Sequence, residues 1–282
     1  MDELRDRVAL VTGGASGIGR ALAQRFAAEG MRLVLADVEA APLAATVAEL
    51  AADGAEVIGV EADVAVAADV EAVRDRALAA FGAVHVVCNN AGVGGGSIVD
   101  APLALWEWTI GVNLMGVVHG VHTFLPLLLE QDDGHIVNTA SLAGLGGVAG
   151  LGIYCTTKFA VVGLSESLHY DLGARGSAVG VSVLCPGFVQ TRIGESNRNA
   201  PAAVADWVER PDAQATADFA QALAAAGIPP EVVADAVRDA IVDRRFFVVP
   251  HEHVAVATTR ARADWMAGRE PPRMDPSRAV QP

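Results

Sequence analysis

Tyr154 and Lys158 stand four residues apart, so a helix would place them on one face, one turn apart. A phenol ordinarily titrates near pH ~10, too high for an efficient base at neutral pH. A neighbouring ammonium favours the phenolate and brings it toward working range. Spacing alone would equally suit a surface lysine beside a buried tyrosine. Composition argues against that: of 20 basic residues 19 are arginine, Lys158 is the only lysine, and Tyr154 is one of two tyrosines. Arginine offers a rigid fork, not a compact ammonium able to bind neighbouring hydroxyls.

Two further polar residues fit the same chemistry. Ser141 lies thirteen residues before Tyr154, in Asn138-Thr139-Ala140-Ser141, just past a predicted strand. A hydroxyl there can hydrogen-bond a substrate oxygen held beside the tyrosine, although a loop serine is the commoner case. Asn113 interrupts the apolar run Gly111-Val112-Asn113-Leu114. It is either a satisfied core amide or a functional bend holding a water.

A second group of residues could hold a nucleotide. Thr12-Gly13-Gly14-Ala15-Ser16-Gly17-Ile18-Gly19 follows the first predicted strand and opens a helix. Glycines let backbone approach a pyrophosphate, and the helix N-terminus supplies unpaired N–H groups and a positive dipole. Asp37 ends the second strand, 18 residues past Gly19. Its carboxylate can bind ribose hydroxyls and would repel a 2′-phosphate. Ser16 and Val38 supply no adjacent base, so NAD is expected over NADP. Asp63-Val64 and Asn89-Asn90-Ala91-Gly92 follow the third and fourth strands, where ordinary turn chemistry is the competing explanation.

The elements that must position these residues alternate. Strands are predicted at 8–12, 32–36, 56–61, 84–89, 135–140, 179–184 and 246–249, mostly as continuous apolar runs suited to a buried parallel sheet. Helices are predicted near 17–29, 40–53, 67–81, 102–130, 152–174 and 230–243. That order implies right-handed βαβ units in a single-domain, doubly wound, seven-stranded parallel sheet of Rossmann type, with helices on both faces. The expected division is a catalytic domain at 1–250, with an Ala-rich helical lid at 190–229, and a C-terminal extension at 251–282. The last ten or so residues, rich in proline, are expected to be extended or mobile.

The bulk numbers exclude other classes. The 282 residues are 52% hydrophobic, ample for a core, and the 34 acids against 20 bases leave a net charge of −14. That charge argues against nucleic-acid or anionic-membrane partners. Cys88, Cys155 and Cys185 show no paired spacing, so neither a disulfide framework nor a cysteine zinc site is expected. The start is charged where a signal peptide would be apolar, and no membrane span is expected. A cytoplasmic protein is the simplest expectation. His251 with His253, and His119 with His122, lack a third ligand, so no metal is expected. Cys155 reads as a small packing residue rather than a thiolate.

Jointly, TGGASGIG at 12–19, Asp37, Asp63-Val64, NNAG at 89–92, Asn113, Ser141, Tyr154-x-x-x-Lys158 and PGFVQT at 186–191 resemble the short-chain dehydrogenase/reductase family over residues 7 to about 250. The resemblance implies that Tyr154 is the general acid/base and that Ser141 orients the reacting oxygen. Lys158 would bind the nicotinamide ribose and lower the tyrosine pKa, and Asn113 would hold a water in a proton relay. Thr12, Gly13, Ser16, Gly17, Ile18, Gly19 and Asp37 would meet the pyrophosphate and adenosine. Asp63, Val64, Asn89, Ala91 and Gly92 would line the adenine and ribose, with Pro186, Gly187, Val189 and Thr191 near the nicotinamide. It also implies a homodimer or homotetramer.

The resulting expectation is an NAD-dependent oxidoreductase interconverting a secondary alcohol and a ketone. Trp207 and Phe219 in the lid suggest a roomy pocket for a bulky apolar, cyclic or aromatic substrate. The alternatives are a 3-oxoacyl-type reductase, which the acid at 37 and the negative charge disfavour, and a non-catalytic dinucleotide-binding sensor. Relative rates with NADH and NADPH, and a panel of alcohols, separate the three.

Overall fold

The structure, a computed structural model, describes residues 3–99 and 101–269. Seven parallel strands, β1 (Val8–Thr12), β2 (Arg32–Asp37), β3 (Val57–Glu61), β4 (Val86–Asn89), β5 (His135–Thr139), β6 (Gly180–Leu184) and β7 (Phe247–Val248), form one sheet. Their order is β3-β2-β1-β4-β5-β6-β7. The winding reverses between β1 and β4, which opens a crevice at their carboxyl ends. Thr12 pairs with Ala36 there, and Val11 with Cys88.

The strands are mostly apolar because both faces are covered, with His135, Asn138 and Ser182 as buried polar exceptions in β5 and β6. On one face α1 (Gly17–Ala28) packs against α9 (Pro230–Asp243) around Leu22, Phe26, Leu33 and Ile241. On the other, α3 (Ala67–Phe81) and α5 (Gly116–Gln131) bury Val70, Val73, Phe124 and Leu128. Phe26 and Phe124 are fully buried, each contributing roughly 1.5–3 kcal/mol of transfer free energy. α2 (Ala40–Ala52) covers the β2–β3 edge, and α6 (Gly152–Ala174) runs under β5 and β6.

Element ends shift from expectation by a residue or two. Strand β4 starts at Val86 instead of Val84, since the His85 side chain accepts the Val8 N–H through Nδ1 at 3.0 Å. Strand β7 shortens to two residues. The helix expected at 102–130 is α4 (Leu103–Ile110) and α5 joined by a π-helical turn, Gly111–Met115. Asn113 sits in that turn. The continuous run Leu103–Gln131 is, among the described residues, the one helix long and apolar enough to cross a membrane, with mean hydropathy 1.5. Here part of it packs on α3 and β4, with 39% of its apolar window buried.

Residues 190–229 leave and rejoin the sheet through a bridge between Val189 and Ile228. Between those points lie a 3-10 segment (Ile193–Asn199), the short α7 (Ala205–Val208) and α8 (Pro211–Ala225). The helical insertion is therefore present. The extension forms α10 (Glu252–Met266). The expectation for the final ten or so residues falls outside the described residues.

A buried polar chain ties α6 to the sheet. Asn89 Nδ2 donates to Asn138 Oδ1 at 2.8 Å, Asn138 Nδ2 donates to the Ser165 hydroxyl at 3.0 Å, and that hydroxyl donates to Val161 O at 2.7 Å. It fixes the helix carrying Tyr154 and Lys158 against β4 and β5.

Candidate active site and cofactor cleft

A cleft of about 870 Å³ crosses the carboxyl ends of the central strands, from Asp37 at one end to Tyr154 and the lid at the other. At its first end the glycine turn leads into α1, a 12-residue helix with no acid in its first turn to offset its positive end. Gly13 and Gly17 hold φ of +66° and +51°, conformations that favour glycine. A Cβ on Gly19 would stand 2.0 Å from Gly13 O, so only glycine lets the helix lie this close to the turn. Asp37 braces the same turn, accepting the Ala15 N–H on Oδ2 and the Glu39 N–H on Oδ1, both at 3.0 Å.

Most of the residues expected to hold a cofactor line this cleft: Gly13, Ser16, Gly17, Ile18, Asp37, Asp63, Val64, Ala91, Gly92, Pro186, Gly187, Val189 and Thr191. Thr12, Gly19 and Asn89 do not. Thr12 instead anchors the NNAG loop, its Oγ1 accepting the Asn90 and Ala91 N–H groups at 2.9 and 3.1 Å. The Asn89 side chain points into the polar chain with Asn138, and is 2% exposed. These three stand behind the cleft lining. Asp63 does both: it lines the cleft, and its Oδ1 accepts the Ala65 N–H at 2.9 Å as an ordinary turn aspartate would.

The catalytic candidates converge at the other end. Tyr154 and Lys158 occupy successive turns of α6, and Ser141 caps the short 3-10 turn after β5, with its hydroxyl accepting the Ala143 N–H at 3.1 Å. Ser141 also hydrogen-bonds the Tyr154 phenol. Lys158 is 3% exposed, donates from Nζ to Thr139 O at 2.9 Å, and lies 5.4 Å from the centre of the Tyr154 ring. A Cβ on Gly92 would stand 3.4 Å from Asn113 Oδ1 and 3.7 Å from Lys158 Nζ, so this glycine keeps space open between the two.

Burial dominates the electrostatics of Tyr154 and Lys158. Burial pushes the Tyr154 phenol up to about 12, while the bond from Ser141 pulls it down by less. Burial also draws Lys158 down to about 8. The lysine charge does not offset the phenol's desolvation, because Nζ is bound to a backbone carbonyl and sits over the ring face.

Asn113 is fully buried and does not line the cleft. Its Oδ1 accepts the Val93 N–H at 2.8 Å, and its Nδ2 donates to Val93 O at 2.9 Å and toward the Thr157 hydroxyl at 3.3 Å. The side chain is thus a satisfied core amide, and the bend is supplied by the π-helical turn around it.

Several cleft residues carried no local signal. Arg198 of the lid forms a bidentate pair with Glu39, at 2.9 Å from Nε to Oε1 and 2.6 Å from Nη2 to Oε2, across 159 residues of sequence. The pair holds Glu39 below the usual carboxylate range and ties the 190–229 segment to the Asp37 end of the cleft. A base therefore does lie near Asp37, but its fork is already engaged. The run Gly94-Gly95-Gly96 was visible in sequence, and its purpose is close packing: a Cβ on Gly96 would lie 2.3 Å from Trp207 Cη2. Trp207 lines the cleft as expected, whereas Phe219 is 60% exposed and does not. On α10, His253, Val254 and Ala257 add a wall from the extension.

Among the described residues no set of three His, Cys, Asp or Glu side chains could hold a metal. His119 Nδ1 lies 2.9 Å from Val64 O, and the Cys155 thiol is pushed up by burial.

Comparisons with known proteins agree with this geometry. The short chain dehydrogenase family matches residues 7–202. The chain is 34% identical to a CLA biosynthesis dehydrogenase/reductase of Lactiplantibacillus plantarum over 258 residues, covering 89% of this chain and 90% of that protein. It is 37% identical to 3beta-hydroxysteroid dehydrogenase 2 of Eggerthella lenta, covering 83% and 87%. The crystal structure of a short chain dehydrogenase/reductase from Burkholderia phymatum in complex with NAD superposes with a TM-score of 0.93 at 43% identity, over 97% of this chain and 99% of that one.

Proposed function

The chain belongs to the short-chain dehydrogenase/reductase family, and on that premise we propose that this oxidoreductase is NAD-dependent and interconverts a secondary alcohol and a ketone. One observation carries the reading: Ser141, Tyr154 and Lys158 meet at one end of a cleft whose other end presents Asp37 and the glycine turn. The residues fit a dinucleotide, since the glycines let the turn pack closely against the start of α1, whose N-terminus faces the cleft, and Asp37 offers acceptor oxygens for a ribose. The NAD complex of the Burkholderia phymatum neighbour supports the same choice. When bound, NAD supplies the hydride acceptor or donor.

The chain's own residues handle the proton. The Ser141 hydroxyl holds the substrate oxygen beside the tyrosine. Tyr154 Oη gives its proton to a ketone oxygen in reduction, and takes the proton from an alcohol in oxidation. Lys158 Nζ faces the space that Gly92 leaves open, where a ribose hydroxyl can be bound. The π-helical turn at Asn113 completes the wall behind it. Asp37 disfavours a 2′-phosphate, and Glu39 keeps the Arg198 guanidinium from welcoming one.

Substrate class follows from the lid end. Leu105, Trp108, Val148, Leu151 and Trp207 line it, and Ala213, Ala217 and Ala220 leave room. That supports a bulky apolar, cyclic or aromatic alcohol. The reading divides the chain into a catalytic unit at 1–250, with the lid at 190–229, and an extension at 251–282 that adds a wall. It places the protein in the cytoplasm as a homodimer or homotetramer. The test is an NAD⁺ reduction screen across secondary alcohols of graded size, repeated with NADP⁺. Turnover of bulky alcohols with NAD⁺ is expected. Preference for small linear alcohols or for NADP⁺ would overturn the corresponding part.

A further inference from the structure

The peptide joining Pro186 to Gly187 lies between Ser141 and the C-terminal helix, and both of its polar atoms are bonded. Its carbonyl, Pro186 O, accepts the Leu142 N–H at 2.9 Å and faces the Ser141 hydroxyl at 3.5 Å. Its N–H, on Gly187, donates to His251 Nδ1 at 3.1 Å. Carbonyl and N–H of a trans peptide point in opposite directions across one rigid plane. The plane therefore cannot turn without loosening contacts on both sides at once.

His251 is fully buried at the start of α10, and it does not line the cleft. An Nδ1 that accepts a hydrogen bond places the ring proton on Nε2. That Nε2 is buried and has no partner among the described residues. A stranded donor is unfavourable, and an aliphatic side chain would fill the same space without it. Core packing alone therefore does not explain an imidazole at this position. Its acceptor nitrogen does. Burial keeps the ring below the usual histidine range, which preserves that acceptor, and the nearby His253 acts in the same sense.

We propose that His251 is a positioning residue for the active site, acting through the 186–187 peptide plane on the Ser141 hydroxyl. At 3.5 Å the Ser141 contact to Pro186 O is at the outer limit of a hydrogen bond, so the serine proton is readily released to a substrate oxygen. A plane tilted toward Ser141 would retain that proton, and one tilted away would free the hydroxyl to rotate. His251 sets the tilt from behind. The inference rests on the proposed role of Ser141 and makes the extension part of the catalytic apparatus rather than an appendage.

The test compares His251→Leu, which fills the space without an acceptor, with His251→Asn, whose Oδ1 can take the same N–H. Hydrogen exchange of the segment around Gly187 should accelerate in His251→Leu and stay near wild type in His251→Asn. Turnover should fall about tenfold or more in His251→Leu, with NAD⁺ affinity held within about threefold, and recover in His251→Asn. Equal turnover in wild type and His251→Leu, or equal losses in both variants, would overturn the proposal. Should His251→Leu not fold, a His251→Asn that folds with near wild-type exchange and turnover supports the acceptor role, and one that loses both refutes it. A wild type that turns over no alcohol would sink the functional reading, while the exchange comparison would still decide the clamp.

Discussion

Replacing Gly96 with alanine probes whether the lid tryptophan is a fixed wall of the substrate end. The added Cβ would stand 2.3 Å from Trp207 Cη2 and 3.1 Å from Cζ2. Carbon atoms in contact settle near 3.5 Å, so the indole must withdraw by roughly 1.2 Å. It cannot do so alone. Trp207 belongs to α7, whose Val204 and Val208 flanks are buried with Leu105 and Ile153. Overpacking of such a cluster costs about 1–3 kcal/mol. Expressed at the substrate wall, that is about a five- to 150-fold loss in kcat/KM for a bulky alcohol. NAD⁺ affinity should be unchanged, because Gly96 lies at the lid end and away from Asp37. Steady-state kinetics over alcohols of graded size, with NAD⁺ titration alongside, measures both. A bulky-alcohol kcat/KM within twofold of wild type would refute the idea of a packed tryptophan wall.

Burial raises Tyr154 to about 12, so alcohol oxidation, which needs the scarce phenolate, should rise from pH 7 to pH 9. Ketone reduction, which uses the protonated phenol, should stay level or fall; pH–rate profiles in both directions check the sign, and oxidation that declines over that range would contradict it. Glu39→Gln breaks the bidentate pair with Arg198 and frees a guanidinium beside Asp37, so NADP⁺ should gain relative to NAD⁺ in the ratio of kcat/KM. An unchanged ratio would mean that Arg198 does not reach the ribose. Asn138→Ala strands polar groups of Asn89 and Ser165, at about 1–3 kcal/mol each, and urea unfolding should show a loss of that size.

Much of the fold was legible because burial on both faces favours apolar strand interiors, as at Val8–Val11 of β1 and Leu33–Ala36 of β2. The candidate catalytic group was legible because Tyr154 and Lys158 are one helical turn apart, and a lone lysine among arginines draws attention to its position. What stayed hidden depends on contacts between distant residues. Nothing near Arg198 announces Glu39, and nothing near His251 announces Gly187. The bonds that Thr12 and Asn89 make within the protein were hidden too, because motif spacing reports where backbone goes and not where side chains turn. The direction of the Tyr154 shift was also out of reach, since it depends on how deeply the phenol is buried and on which atom Lys158 binds.

The central claim is that Tyr154 moves the proton in an NAD-dependent reaction, and Tyr154→Phe tests it most directly. NAD⁺ binding by calorimetry and alcohol turnover by NADH absorbance should be measured on the same preparation. The account predicts affinity near wild type with turnover reduced by about 10²–10⁴-fold. Turnover retained within tenfold, with binding intact, would contradict it.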